Sequence, residues 1–179
     1  MRIFFALEVC PKTRQALRAL AQKAGEYAEG RWVPQDNYHI TLRFLGEQPL
    51  PRVRQIEGTP LPEGMHAFSY RIGGIGRFCR DRGDILWAGV CDGEAGLAAV
   101  KLSLDQRLSV LGLPPEDRPY HPHITLARDV RWASGGYEQL REQSISIAET
   151  ADTITLMESR VTTEGVRYIP LMRWALPAR

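Results

Sequence analysis

The string His-Ile-Thr-Leu occurs twice, at residues 39–42 and again at 123–126. The chain has only four histidines, so half of them open the same tetrapeptide. At ordinary residue frequencies a second histidine would carry Ile-Thr-Leu by accident at about one in a thousand or rarer. In an extended strand, residues i and i+2 share a face. Each copy therefore stands an imidazole beside a hydroxyl on one face and turns Ile and Leu into a core behind.

The surroundings are duplicated too. Residues 2–9 form a short apolar run with Phe4 and Phe5 adjacent, which reads as a buried strand. Pro11 suits the first turn of a helix, and Leu17, Leu20, Ala21, Ala24 and Ala28 recur at helical spacing. An extended piece through Trp32, Val33 and Pro34 then leads by Asp36 and Asn37 into the first motif strand, which ends at Gly46. In the second half, residues 85–90 read as a strand. Leu97, Val100, Leu104, Leu108 and Leu111 mark a helix face, and Gly112 with Pro114 and Pro115 stops it before the second motif. Ile3 precedes His39 by 36 residues and Ile85 precedes His123 by 38. The expected repeat units are 2–46 and 84–128, related by a pseudo-twofold axis.

Further strands are expected at about 66–76, 153–161 and 166–175, with the Glu164-Gly165 step as a hairpin turn between the last two. Residues 48–64 hold four prolines and read as a loop with at most one helical turn; residues 129–146 carry no clear pattern. The fold class that follows is α+β: one domain over 1–179 with two lobes, each a mainly antiparallel sheet with helices on its outer face.

Composition narrows the function classes. A net charge of +2 over 179 residues is compatible with an anionic ligand but far from a polybasic protein. The three cysteines Cys10, Cys79 and Cys91 show no metal-type spacing, which fits a reducing compartment. Glu8 cuts the N-terminal apolar run short, and no later stretch is apolar enough for a membrane span. A cytoplasmic chain, with no membrane partner, is expected.

Two imidazoles and two hydroxyls facing one cleft suit phosphodiester chemistry. One ring takes a proton from the attacking water and the other gives one to the departing alkoxide, without a metal. Thr41 and Thr125 are placed to donate to non-bridging phosphate oxygens.

The two His-x-Thr motifs, the first continuing as Arg43-Phe44-Leu45-Gly46-Glu47 and the second framed by His121-Pro122 and Ala127-Arg128, resemble the two-histidine phosphoesterase superfamily. With the opening Arg2-Ile3-Phe4-Phe5-Ala6-Leu7 and the closing run from Arg167 through Tyr168 to Leu176, the chain is similar to the bacterial RNA 2′,3′-cyclic phosphodiesterases, also named for 2′-5′ RNA ligase activity. The resemblance implies two lobes about a positive cleft, and metal-independent opening of RNA 2′,3′-cyclic phosphate ends to 2′-phosphomonoesters. The alternatives are the reverse ligation and a non-catalytic RNA- or nucleotide-binding module. It implies His39 and His123 as the catalytic pair, Thr41 and Thr125 as phosphate ligands, and Arg128 as a phosphate or nucleotide contact. His39 is assigned as general acid to the leaving 3′ oxygen and His123 as general base. The implied partners are RNA ends with a cyclic phosphate or small nucleotides, with no cofactor, no metal and a monomeric chain.

Other residues admit two readings. Tyr168 and Phe44 are candidates to stack on a terminal base, although strict alternation places Phe44 with Ile40 and Leu42 in the core. Arg128 could instead pair with Asp129 or another surface carboxylate, although its planar fork suits phosphate. His121 could chelate metal with His123, or brace it, or simply pack between Tyr120 and Pro122. His66 is expected to be exposed, and the segment 77–83 is either an exposed turn or an RNA contact.

Overall fold

The computed structural model describes residues 1–163 and 165–178. Among the described residues, nine strands form two sheets in which every pairing is antiparallel. The first contains β1 (Arg2–Glu8), β3 (His39–Glu47), β8 (Thr153–Thr162) and β9 (Gly165–Ala175), in the order β3-β1-β8-β9. The second contains β2 (Ala28–Trp32), β4 (Phe68–Phe78), β5 (Asp84–Asp92), β6 (His123–Trp132) and β7 (Ser146–Ala151), in the order β2-β6-β5-β4-β7. Each motif strand thus pairs with the strand that opens its own half: β3 with β1, and β6 with β5.

The helices tie the two sheets together. α1 (Pro11–Ala24) buries Leu17, Leu20, Ala21 and Ala24 and contacts β6, the motif strand of the other sheet. α3 (Glu94–Val110) contacts β3 in the same crossed fashion. β2 follows α1 and completes the exchange by pairing with β6. One contiguous core results, joining Ile3, Phe5 and Leu7 of the first sheet to Ile72, Leu86 and Ile124 of the second. The opposite face of β1 is also covered: Phe4 and Ala6 pack with Met157 against Phe44 and Tyr168.

Three expectations need correction. Residues 48–64 contain a true helix, α2 (Leu50–Glu57), because Pro49 and Pro51 sit at its start, where no amide donor is lost, and Val53 and Ile56 face the core. Ala28 belongs to β2 and not to α1, since the helix stops at Gly25. The unpatterned stretch 129–146 divides into the end of β6, the short helix α4 (Gly136–Arg141) and the start of β7. Gly165 opens β9, while Glu164, the other half of the expected hairpin step, lies outside the described residues. Among the described residues no helix is long and apolar enough to cross a membrane. Cys10, Cys79 and Cys91 are free thiols.

Candidate active site

Both motif histidines are held by the same bond. Nδ1 of His39 lies 2.7 Å from the carbonyl oxygen of Asn37, and Nδ1 of His123 lies 2.7 Å from that of His121. A carbonyl only accepts, so Nδ1 carries the proton in each ring and Nε2 is left as the basic nitrogen. In His39 that nitrogen accepts from the Thr41 hydroxyl at 3.0 Å.

β3 and β6 lie against one another, and a cleft of about 460 Å³ opens over them. His39, Thr41, Phe44, His123, Thr125, Arg128 and Tyr168 all line it. The seven candidates read from the sequence therefore share one cleft, although strand alternation alone would have turned two of them away.

A bulge makes the difference. On β3, Thr41 faces Ala6 and Arg43 faces Phe5, leaving Leu42 as the extra residue. On β6, Thr125 faces Trp87 and Ala127 faces Leu86, leaving Leu126 as the extra one. Leu42 and Arg43 are consecutively buried, as are Leu126 and Ala127. A bulge inverts the inward–outward alternation beyond it. Phe44 and Arg128, each three residues past its threonine, are thereby re-aimed into the cleft. Phe44 therefore packs not with Ile40 and Leu42, as alternation predicts, but against Phe4, Ala6 and Met157 at the cleft. Asp129 pairs with Arg31 at 2.7 Å and leaves Arg128 to the cleft.

Aromatic rings wall both imidazoles. His39 sits 4.9 Å from Phe4 and 5.0 Å from Tyr168, centroid to centroid. His123 sits 5.0 Å from Phe78 and 6.1 Å from Trp87. Trp87 fits only because Gly76 faces it across the β4–β5 pair: a Cβ there would lie 2.1 Å from the indole.

Burial pushes the His39 imidazole down to about 4; the Asn37 carbonyl and Glu8 act against this, while His123 and Arg128 reinforce it. His123 is also depressed, first by burial, with the His121 carbonyl opposing and His121, Arg128 and Arg118 adding to the effect. His123 and Arg128 thus act on the His39 ring across the cleft, and Arg128 acts on both imidazoles. Arg2, Arg80 and Arg118 join Arg128 in lining it, and among the described residues no carboxylate does. That field favours a bound anion.

Sequence reasoning missed Asn37. Its backbone oxygen orients His39, its side-chain amide donates to the Val166 carbonyl at 2.7 Å, and its Oδ1 accepts from the Tyr168 amide at 3.3 Å. One buried residue thus pins β9, and with it the Tyr168 ring, beside His39. No pattern signals this, because the orienting group is a backbone carbonyl that any residue supplies. Phe4 and Arg2 were also missed, being read as one end of a buried strand. The segment 77–83 divides: Phe78 and Arg80 reach the cleft, while Arg77 pairs with Asp84 at 3.0 Å and covers the Tyr137 ring at 4.1 Å. His121 stacks on His123 at 5.9 Å and meets Trp87 edge-on at 4.8 Å. Among the described residues no group of three or more metal-ligating side chains forms around it. His66 is exposed ahead of β4.

A family model described as the 2′-5′ RNA ligase superfamily matches residues 8–163. An RNA 2′,3′-cyclic phosphodiesterase of Aeropyrum pernix is 36% identical over 141 residues, covering 76% of this chain and 80% of that protein. One of Escherichia coli is 29% identical over 175 residues, covering 98% and 96%. Among solved structures, Escherichia coli LigT complexed with 3′-AMP superposes with a TM-score of 0.77 at 28% identity, covering 98% of this chain and 97% of that one.

Proposed function

From membership of the 2′-5′ RNA ligase superfamily, to which this chain belongs, we propose that the protein opens 2′,3′-cyclic phosphate ends of RNA or small nucleotides to 2′-phosphomonoesters. The observation that carries the reading is the matched pair of imidazoles. Each is locked by a carbonyl two residues upstream, and both line a cleft with arginines and, among the described residues, no carboxylate.

The cyclic phosphate lies between the rings. His123 takes a proton from water through Nε2 as the water oxygen bonds to phosphorus. The P–O3′ bond breaks on the opposite side, and His39, protonated at Nε2, delivers its proton to the 3′ oxygen. Thr41 and Thr125 donate to the non-bridging oxygens, and Arg128 balances the charge that grows on them. With His39 protonated, its Nε2 no longer accepts from Thr41, whose hydroxyl is released toward the phosphate.

His39 is hard to protonate in the free protein, so its role as acid requires the anionic substrate to draw a proton onto it. The two rings supply both proton transfers, which makes the proposed reaction metal-independent. Ligation through a 2′-5′ bond is the same sequence with a 5′-hydroxyl taking the place of water, and run backwards it cleaves that bond to regenerate the cyclic phosphate.

The test is turnover of adenosine 2′,3′-cyclic phosphate in EDTA, with the 2′- and 3′-monophosphates resolved by chromatography. The expected product is the 2′-monophosphate, and His39→Ala or His123→Ala should lower the rate by roughly 10² or more. Absence of turnover, or either variant running near the wild-type rate, overturns the proposal. Loss of activity on chelation would point instead to a metal hydrolase.

A further inference from the structure

Behind His123 the cleft continues into a smaller chamber of about 240 Å³, which shares Thr41, Phe78, Arg80, Arg118 and His123 with it. Its other polar lining is Lys101, Glu116, Tyr120 and His121. Lys101 is only 8% exposed, and the Tyr120 hydroxyl is buried with no hydrogen-bond partner. A buried hydroxyl left unpaired is a donor waiting for an acceptor.

The charges here do not balance. Lys101 bonds Asp105 at 2.5 Å, Arg43 contacts both Asp105 and Glu116, and Arg118 pairs with Glu116 at 3.1 Å. Three cations share two carboxylates, and Arg80 adds a fourth positive charge with no ion-pair partner among the described residues. Side-chain donors dominate the lining, and Glu116, the one carboxylate in it among the described residues, is already engaged twice.

We propose that this chamber is a second anion subsite, which receives the phosphate on the 5′ oxygen of the nucleoside whose cyclic phosphate lies between His39 and His123. Arg80 and Arg118 grip it from the cleft side, His121 adds a donor, and the Tyr120 hydroxyl and Lys101 hold it from within. The site thereby favours a nucleotide that carries phosphate at both ends of its ribose over one that carries the cyclic phosphate alone. This rests on the cyclic-phosphate reading for its orientation but not for its anion chemistry.

Binding and turnover test it separately. Calorimetry should show adenosine 3′,5′-bisphosphate binding the wild-type protein at least about tenfold tighter than adenosine 3′-monophosphate, the scale of one charge-assisted contact. Tyr120→Phe and Arg118→Ala should each reduce that ratio severalfold, read as a ratio within each variant so that losses common to both ligands cancel. The kcat/KM ratio of 5′-phosphorylated to unphosphorylated adenosine 2′,3′-cyclic phosphate should move in parallel.

A dinucleotide ending in a 3′-phosphate distinguishes the two sources of the anion. If it matches the bisphosphate, the subsite takes the internucleotide phosphodiester; if only the bisphosphate gains, it takes a terminal phosphomonoester. Equal affinity for mono- and bisphosphate, or ratios unchanged in both variants, overturns the subsite even where cyclic phosphate is hydrolysed. A bisphosphate preference without any turnover would retain it and remove the catalytic reading.

Discussion

Acidification offers a direct probe of His39. Its folded-state pKa lies near 4 against an ordinary 6.5, chiefly through burial. The unfolded chain therefore takes up a proton at this position between pH 6.5 and 4 that the folded chain refuses. Stability from this group is complete above 6.5 and is lost as pH falls toward 4. Across that window each pH step of one costs about 1.4 kcal/mol, so the loss reaches about 2 kcal/mol by pH 5. His39→Gln removes the titrating ring, and the stability difference between wild type and variant should change by about 2 kcal/mol between pH 7 and pH 5. Urea unfolding at the two pH values measures this, and NMR titration of the His39 Cε1–H gives the midpoint directly. Parallel loss of stability in both proteins, or a midpoint at 6 or above, would refute the reasoning. The same depression leaves about one free molecule in a thousand protonated at His39 at pH 7. If the bound phosphate anion supplies the missing stabilisation, the alkaline limb of kcat will lie at higher pH than that of kcat/KM.

Arg128→Ala should lower kcat/KM about ten- to a hundredfold through the lost charge-assisted contact. It should also raise both imidazole midpoints, because Arg128 depresses each; NMR titrations in which neither moves would separate Arg128 from the pair. Asn37→Ala leaves the Val166 carbonyl and the Tyr168 amide without their side-chain partner, at a cost of about 1–3 kcal/mol by denaturant unfolding. Since the His39 bond comes from the backbone, Asn37→Ala should disturb Tyr168 and KM more than the imidazole. Gly76→Ala drives a methyl into Trp87. It should destabilise the protein by about 1–3 kcal/mol and shift the indole fluorescence, whereas unchanged unfolding and emission would show that the ring has room to move.

Much of the site was legible in the letters, because the duplicated tetrapeptide couples two local facts. Alternation at period 2 places each histidine beside its threonine, and the apolar residues between them anchor the strand. The same local reading located β1, α1, β5 and α3, whose apolar spacing is regular. It faltered where chemistry is carried by backbone atoms or by crowding: the carbonyls of Asn37 and His121, the proline-started α2, and the face on which Phe44 falls.

Sequence by itself determined that two imidazole–hydroxyl pairs exist, each on a strand with a buried back, since neighbouring residues on a strand cannot choose their faces independently. Tertiary structure alone decided that the pairs meet. α1 and α3 each cross to the opposite motif strand, β2 joins the second sheet, and paired bulges turn Phe44 and Arg128 inward. Register and crossing depend on partners far along the chain, and burial against them sets both the geometry of the cleft and the proton affinity of its histidines.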